Sequence, residues 1–289
     1  MLRELGHRVV VEQSYDGGSG DLLVALHARR SAPSVERFGA EHPKAPIVLA
    51  LTGTDVYGDI RVCAAAQKAL EQASCFVVLQ RLAVDELPEP FRSRCHVIYQ
   101  SAVCPPGDHR PRPNVFDVAV LGHLRQVKDP FRAAAAARLL DGTSPVRILH
   151  AGAAPDDEMA AEARAEAGSN PRYRWLGDLP RWKALRLLAR SRLLALTSVA
   201  EGGANVVSEA LACSVPVVSS GIPGSVGILG ADYQGYFPVG DTEALASLLE
   251  RAAGDARFYD KLREACRGLR MLVDPIQERR SWRDLLRSL

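Results

Sequence analysis

The chain has 289 residues, a length that suits one large or two ordinary globular domains. Hydrophobic residues make up 47% and charged residues 24% of the sequence, and these ordinary values exclude a disordered, collagen-like or coiled-coil protein. Because 36 Lys and Arg stand against 34 Asp and Glu, the formal net charge of +2 gives no overall attraction to nucleic acid.

Short apolar runs recur along the chain at regular spacing, as in buried parallel strands. They cover residues 8–11, 22–26, 47–51, 76–79, 97–99, 118–121, 146–149, 193–196 and 215–218. Segments with helical spacing lie between them, at residues 131–140, 156–167, 181–189, 206–212 and 243–252. This alternation predicts an α/β protein built on doubly wound parallel sheets.

Residues 103–114 concentrate four prolines and one glycine between two series of strands and helices. This composition is typical of an interdomain linker. We therefore predict an N-terminal domain over residues 1–113 and a C-terminal domain over residues 114–273. A final helical stretch within residues 274–289 is expected to cross back onto the N-terminal domain.

The cysteines and the hydropathy pattern suggest a cellular setting. The six cysteines include no C-x-x-C pair, so the sequence predicts neither a zinc site nor a disulfide framework. Reduced cysteines suit a cytoplasmic protein best. No stretch reaches the ~18 uncharged apolar residues of a membrane span. We expect a cytoplasmic protein with neither a membrane span nor a nucleic-acid partner.

The strongest motif follows the predicted strand 193–196, where E-G-G-A-N precedes a helix that carries Glu209 in its second turn. Ligands collect at the carboxyl ends of strands in open α/β sheets, and a helix start after glycines attracts anions. We predict that a diphosphate binds the backbone of Gly202, Gly203, Ala204 and Asn205. Glu201 and Glu209 would accept paired hydrogen bonds from sugar hydroxyls. The alternative is that both glutamates are ordinary helix charges.

This motif continues into A-L-A-C-S-V-P-V-V-S-S, Gly224 and F-P-V-G-D. The order resembles the donor-binding region of retaining GT-B glycosyltransferases, which include glycogen synthases and bacterial mannosyltransferases, over residues 116–253. The resemblance implies two Rossmann-like domains facing across a cleft, with Glu209 on the ribose and Glu201 on the transferred sugar. The nucleotide-sugar would be a substrate, so we expect no cofactor. The lack of a D-x-D after a strand agrees with catalysis without a metal.

A second motif, L-G-H-L-R-Q-V-K, follows the first predicted strand of the C-terminal domain. GT-B enzymes of this group have G-R-x(4)-K there, and its Arg and Lys neutralise the diphosphate. Gly122 and Lys128 match this pattern, but His123 occupies the arginine position and Arg125 follows two residues later. By the resemblance, Lys128 and a shifted Arg125 would stabilise the departing UDP. The alternative is that both are solvated loop cations.

Two strand ends of the N-terminal domain carry polar residues. Residues 22–26 lead into H-A-R-R-S at a predicted helix start, a suitable pocket for an anion. The next strand leads into L-T-G-T-D, whose hydroxyls and carboxylate could orient an acceptor. Alternatives are a structural histidine, surface arginines and a helix-capping aspartate. The candidates are His27 as a catalytic residue, with Arg29, Arg30, Ser31, Thr54 and Asp55 as acceptor-binding residues.

A narrower resemblance rests on five motifs in order: L-H-A-R-R-S, L-T-G-T-D-x-Y, L-G-H-L-R-x-V-K-D-P, E-G-G-A-N-V-V-S-E-A and G-I-x-G-S-V-G-I-L-G-x-D-Y-x-G-Y-F. Together they are similar to the selenosugar synthases of selenoneine biosynthesis, over nearly the whole chain. The resemblance implies transfer of glucose or N-acetylglucosamine from a UDP-sugar to selenophosphate, giving a 1-selenosugar. An anionic acceptor would suit His27, Arg29 and Arg30.

The start of the chain departs from that family. Its members begin with a strand, a glycine-rich loop and a helix, whereas M-L-R-E-L-G-H resembles the end of that helix. We therefore expect an N-terminal domain without its first strand and helix, and a sheet with two unpaired edges. Either the start codon is assigned too late or the domain is damaged and less active.

Other functions remain open at this point. They are a UDP-sugar transferase with another small anionic acceptor, a UDP-sugar 2-epimerase, and a catalytically impaired nucleotide-sugar-binding remnant. A dehydrogenase is disfavoured because no G-x-G-x-x-G follows a strand with an acidic residue ~20 positions later.

Overall fold

The computed structural model describes residues 1–53 and 55–289. The chain forms two compact units. The first unit contains Met1–Ser101, Ala200–Gly203 and Pro275–Leu289, and the second contains Ala102–Val199 and Ala204–Asp274. Residues 98–115, which include the proline-rich segment, form neither a helix nor a strand.

The first unit is an α/β structure with one four-stranded sheet. A π-helical turn at Asp55–Asp59 leads into its second helix. Its elements are β1 (Leu23–Leu26), α1 (Ala32–Glu41), β2 (Ile47–Leu51), α2 (Ile60–Val62), α3 (Ala64–Gln72), β3 (Cys75–Val78), α4 (Leu82–Glu86), α5 (Glu89–Arg92) and β4 (Cys95–Val97).

The sheet of the first unit is parallel throughout and has the strand order β1-β2-β3-β4. β2 and β3 are apolar along their whole length and fully buried, as central parallel strands are. One face of the sheet packs against α1 and α3 through Phe38, Leu70 and Phe76. The other face packs against Trp282 and Leu285.

The prediction of a strand at residues 8–11 is wrong. This segment forms no strand, and Val10 and Val11 are exposed. Among the residues that the structure describes, β1 is an edge strand of the sheet and pairs with β2 alone. Residues 8–11 do not extend the sheet, although the other edge of β1 has no strand partner among the described residues. Because Val10 and Val11 are exposed, no side-chain burial stabilises a strand in this segment. Of the two unpaired edges expected from the sequence, the one at β1 is present and the one at residues 8–11 does not form.

The second unit is built on a six-stranded sheet. Its elements are β5 (Phe116–Leu121), α6 (Arg132–Arg138), β6 (Val146–Ala151), α7 (Asp157–Ser169), β7 (Tyr173–Trp175), α8 (Arg181–Arg190), β8 (Leu193–Leu196), α9 (Asn205–Ala212), β9 (Val217–Ser220), α10 (Pro223–Leu229), β10 (Tyr236–Phe237), α11 (Thr242–Gly254) and α12 (Ala256–Gly268). The last helix of the chain, α13 (Pro275–Ser288), belongs to the first unit.

The strand order of the second unit creates a switch point. All its strands are parallel, in the order β10-β9-β8-β5-β6-β7. From β5 the chain moves outward through β6 and β7, and α8 then returns it to β8 on the other side of β5. The carboxyl ends of β5 and β8 therefore diverge into loops that leave a crevice, which is where open α/β sheets bind ligands.

The predicted doubly wound parallel α/β fold is thus confirmed in the second unit, and a parallel α/β layer is confirmed in the first. Two short strands, β7 and β10, went unpredicted because three and two residues are too few for a periodic pattern. In the described part of the chain, no helix is long and apolar enough to cross a membrane.

Candidate active site

A cleft opens at the switch point of the second unit. Gly122 follows β5 and lines this cleft, together with Lys128 of the next loop. Thr197 and Ser198 line it from the end of β8, and His150 lines it from the end of β6. Gly122 and Lys128, predicted to approach the diphosphate of a donor, therefore lie at the ligand-binding edge of the sheet.

The loop that carries Lys128 is fixed to the end of β8. The Thr197 hydroxyl donates a bifurcated hydrogen bond, shared between the carbonyls of Lys128 and Asp129 at 2.9 and 3.0 Å. The Val199 N–H donates to the Val127 carbonyl at 2.8 Å. These contacts hold the backbone of Lys128 beside the β8 end, so the Cα from which its long side chain extends is fixed in place.

Gly122 is held by unusually close backbone packing. A Cβ on Gly152, at the end of β6, would lie 1.9 Å from the Gly122 carbonyl oxygen, so only glycine fits there. The Gly122 N–H donates to the Ala151 carbonyl at 3.0 Å. The Gly122 carbonyl in turn contacts His150 Nε2 at 3.0 Å. Burial lowers the pKa of His150 to about 4, so a neutral imidazole supports this loop at neutral pH.

The arginine expected near Gly122 has no counterpart at position 123. His123 Nδ1 accepts a hydrogen bond from the Ala153 N–H at 3.0 Å, so this imidazole joins the loops that follow β5 and β6. Arg125 is exposed on the same loop. Its predicted role as a shifted diphosphate ligand stays a prediction.

The start of α9 presents free backbone donors. The helix begins at Asn205, and its N-cap, Ala204, makes no side-chain capping bond. Among the described residues, the N–H groups of Asn205 and Val206 have no hydrogen-bond acceptor. Unpaired N–H groups and the positive end of the helix dipole favour an anion, as predicted for a diphosphate.

Glu209 lies one turn into α9 and is largely buried, with 14% of its side chain exposed. Its Oε1 is 2.9 Å from Nη2 of Arg181, the exposed first residue of α8. Burial raises the pKa of Glu209, although Arg181 opposes the shift. The sequence also allowed Glu209 to be an ordinary solvated charge on the helix. A largely buried carboxylate near the start of α9 differs from such a charge.

The two glycines of the E-G-G-A-N motif have a packing role within the first unit. A Cβ on Gly202 would lie 2.7 Å from the Gly53 nitrogen, and one on Gly203 would lie 2.5 Å from the Leu79 Cβ. Neither glycine has a positive φ. Contacts with other protein atoms therefore already exclude a side chain at both positions. The sequence-based explanation is incomplete, because it attributed these glycines to the approach of an anion alone. Glu201 is half-buried beside them.

His27 ends β1 in a left-handed conformation, with φ 74°, and is 8% exposed. The conformation is stabilised on both sides, because the His27 N–H donates to the Ala50 carbonyl and the His27 carbonyl accepts from the Ser31 N–H. The Nε2 atom of His27 is buried and has no hydrogen-bond partner. A substrate atom could supply that partner.

The structure corrects the predicted role of Asp55. This side chain is completely buried, and its two oxygens accept hydrogen bonds from the Ala28 and Gly53 N–H groups, at 3.0 and 2.8 Å. Asp55 therefore holds the loops after β1 and β2 together and does not reach an acceptor. Its Oδ2 also lies 3.9 Å from His27 Nδ1.

Asp59, which the sequence-based prediction missed, faces His27. The Asp59 Oδ2 is 3.8 Å from His27 Nε2, and neither atom has a hydrogen-bond partner. The same oxygen is 3.3 Å from Arg29 Nε. Asp59 follows Asp55 by four residues in the π-helical turn, and that spacing is the signal that could have identified it.

The other predicted acceptor residues differ in their contacts. Arg29 is half-exposed and Arg30 is exposed. The Ser31 hydroxyl donates to the Leu26 carbonyl and so stabilises the strand end, and its predicted acceptor contact stays a prediction. Thr54 lies outside the described residues.

The sequence of the second unit decides the family. The model for glycosyl transferases group 1 matches residues 107–268, which is more than half of the chain. The chain belongs to this family. It is therefore a glycosyltransferase, as predicted. A search of curated protein sequences found no match to this group 1 glycosyltransferase.

This group 1 glycosyltransferase has the same fold as several solved structures. Anabaena HepE in complex with UDP has a TM-score of 0.77 and 18% identity, over 93% of this chain and 79% of that one. The UDP-forming α,α-trehalose-phosphate synthase of Burkholderia vietnamiensis has a TM-score of 0.74 and 13% identity, over 92% and 72% of the two chains. The GT-B fold predicted from the sequence is confirmed.

Two polar groups of the second unit of this group 1 glycosyltransferase, His150 and Arg181, were also missed by the sequence-based prediction. His150 directly follows the predicted strand 146–149, so a histidine at a strand end was visible in the sequence. Arg181 begins a predicted helix far along the chain from Glu209, and no local spacing links the two. Contacts between residues so far apart in sequence, such as Arg181 with Glu209, become visible only when the topology is known.

Proposed function

We propose that the protein transfers a sugar from a UDP-sugar and that the cleft at the switch point of its second unit binds the donor. The observation that carries the proposal is the start of α9, where free backbone N–H groups precede the buried carboxylate of Glu209. In this proposal the N–H groups bind the diphosphate and Glu209 accepts hydrogen bonds from the ribose hydroxyls. HepE, a structural neighbour, was solved with UDP and glucose and separately with UDP-glucose.

The departing UDP needs cationic stabilisation, and Lys128 is the proposed source. Its backbone is fixed beside the end of β8 by the hydroxyl of Thr197. A preset cation at the leaving group provides electrostatic catalysis without reorganisation in the transition state. Arg125 is the proposed second cation, and Glu201 is the proposed partner of the transferred sugar. The half-buried position of Glu201 is compatible with such a contact.

For the acceptor we propose selenophosphate, with glucose or N-acetylglucosamine as the transferred sugar. The five motifs shared with selenosugar synthases support this choice. The contacts of His27 support it as well, because Nε2 lacks a partner and Arg29 and Arg30 retain exposed guanidinium surface. Two guanidinium groups and an imidazole N–H suit an oxyanion better than a neutral hydroxyl.

The direct test is a UDP-release assay with the purified full chain. UDP-glucose and UDP-N-acetylglucosamine are each combined with selenophosphate, thiophosphate or phosphate. We expect the fastest release with selenophosphate and one of the two sugars, and a product in which selenium is bonded to the anomeric carbon. UDP binding without release would instead indicate a nucleotide-sugar-binding protein, and an epimerised UDP-sugar would indicate a 2-epimerase. Either result would remove the selenosugar proposal.

Glu209→Ala tests the donor site independently of the acceptor. We expect the KM for the UDP-sugar to rise about 10- to 100-fold, as the loss of a charge-assisted hydrogen bond of ~1.5–3 kcal/mol predicts. The control is Glu162→Ala, which removes an exposed glutamate from α7. An unchanged KM in Glu209→Ala would exclude the ribose role.

The pH dependence of the donor KM gives a second readout. Burial raises the pKa of Glu209, with Arg181 opposing, so the carboxylate takes up a proton at a higher pH than an ordinary glutamate. The ribose hydroxyls need the ionised form as acceptor, so the donor KM should rise as the pH falls through this pKa. Glu209→Gln should have a high KM that no longer changes over that range. A parallel pH dependence in both proteins would contradict the assignment.

A further inference from the structure

A second concave site lies in the second unit, between residues 108–112 and helix α8. Its volume is about 510 Å³, and we call it the linker–α8 groove. Leu149 of β6 and Asp117 of β5 contribute to its lining, with Trp182, Arg186 and Arg190 of α8. It shares no lining residue with the cleft at the switch point. The volume is within the range of about 300–1,000 Å³ that is usual for small-molecule sites.

The groove carries an excess of unpaired positive charge. Its two carboxylates already bind arginines, because Asp117 is 2.7 Å from Arg147 Nη2 and Asp108 is 3.2 Å from Arg110 Nε. The remaining cations of the lining form no ion pair with any described residue: Arg112, Lys183, Arg186 and Arg190. Four like charges in one concavity favour an anionic ligand.

The charge pattern of α8 differs from that of α12, another helix rich in arginine. Helix α12 also carries several basic residues, but it pairs Arg263 with Asp260 and Arg267 with Glu264 one turn apart. Every charged residue of α8 is basic. The basic groups of α8 that line the groove therefore lack local acidic partners of the kind that pair with two arginines of α12.

Trp182 adds a flat apolar surface to the groove and is 54% exposed. The Lys183 ammonium and the Arg186 guanidinium lie 5.3 and 5.2 Å from its ring centroid. Trp182, Arg186 and Arg190 are spaced four residues apart, so they lie along one side of the helix. An exposed indole beside cations offers stacking to a planar base and ion pairs to phosphates.

We propose that the linker–α8 groove is a second ligand site, which binds a nucleoside polyphosphate. The phosphates contact Arg186, Arg190 and Arg112, and the base stacks on Trp182. This site is independent of the donor cleft and of the proposed transfer reaction.

The test measures ATP binding to the full chain by calorimetry. The groove variant combines Arg186→Glu and Arg190→Glu. Its matched control combines Arg164→Glu and Arg257→Glu, which reverse two exposed arginines of α7 and α12. Glu209→Ala reports on the donor cleft. We expect the groove variant to lose at least tenfold in ATP affinity, while the control and Glu209→Ala stay within about twofold of wild type. Unchanged circular dichroism in all variants shows that they fold.

Trp182→Ala separates base stacking from charge. It should weaken ATP binding several-fold and leave the binding of inorganic triphosphate unchanged. The proposal is overturned if wild type does not bind ATP, if the groove variant binds it as tightly as wild type, or if Trp182→Ala leaves ATP affinity unaltered. It is equally overturned if the groove binds only single-stranded RNA or anionic phospholipid vesicles, since the ligand would then be a larger polyanion.

Discussion

Gly152→Ala is expected to destabilise the protein by about 3 kcal/mol and to abolish use of the UDP-sugar. The added Cβ would lie 1.9 Å from the oxygen and 2.4 Å from the carbon of the Gly122 carbonyl, and 2.9 Å from the His123 nitrogen. All three are backbone atoms that no rotamer change can move, so the loops after β5 and β6 must separate. That movement displaces Gly122 and the loop leading to Lys128.

The free energy of unfolding in urea and the donor KM measure the two effects. Gly142→Ala is the matched control, because its Cβ would meet no atom within 4 Å and its φ is not positive. We expect the control to remain within ~0.5 kcal/mol of wild type, as surface substitutions usually do. Equal unfolding free energies for the two variants would show that the loops after β5 and β6 adapt at no cost.

His27→Asn is expected to lower kcat by about 100-fold or more, the usual contribution of a positioned acid–base or hydrogen-bonding imidazole. Asparagine tolerates the left-handed backbone that His27 adopts, at φ 74°, so the variant is expected to fold. Its shorter side chain cannot place a nitrogen where Nε2 lies. Nε2 is the atom without a protein partner, and its loss should affect turnover more than the donor KM.

Two further variants show whether the effect is specific. His7→Asn changes an exposed histidine of the same unit and should leave kcat unaltered. Asp59→Asn keeps the shape of the group facing Nε2 but removes the charge beside His27 and Arg29, so kcat should fall while the donor KM stays constant. If His27→Asn retains wild-type kcat, the acceptor assignment of this strand end is wrong.

The elements that the sequence predicts well are those with a repeating apolar pattern. The runs at 47–51 and 193–196 coincide with β2 and β8 because central parallel strands are buried on both faces. Residues 8–11 show the limit of that signal. Their apolar residues also form a run, but Val10 and Val11 are exposed, so no burial against the rest of the unit stabilises a strand there.

The candidate site was predictable where one segment carries several functional groups, as in E-G-G-A-N and the following helix. It was less predictable where contacts join distant segments. The closeness of Gly202 to Gly53 and of Gly203 to Leu79 depends on packing between loops far apart in sequence. The burial of Asp55 likewise depends on the loop after β1, which supplies one of its two donors.

The position of α13 has a consequence for synthesis of the protein. Leu285 is 2% exposed and packs with Val48, Val77 and Ile98 on one face of the first sheet. That face stays uncovered on the ribosome until α13 has emerged, after the intervening second unit has been made. Most of the first unit is therefore translated before the second unit but completed after it, and during that interval its apolar face is open to chaperones or to misassociation.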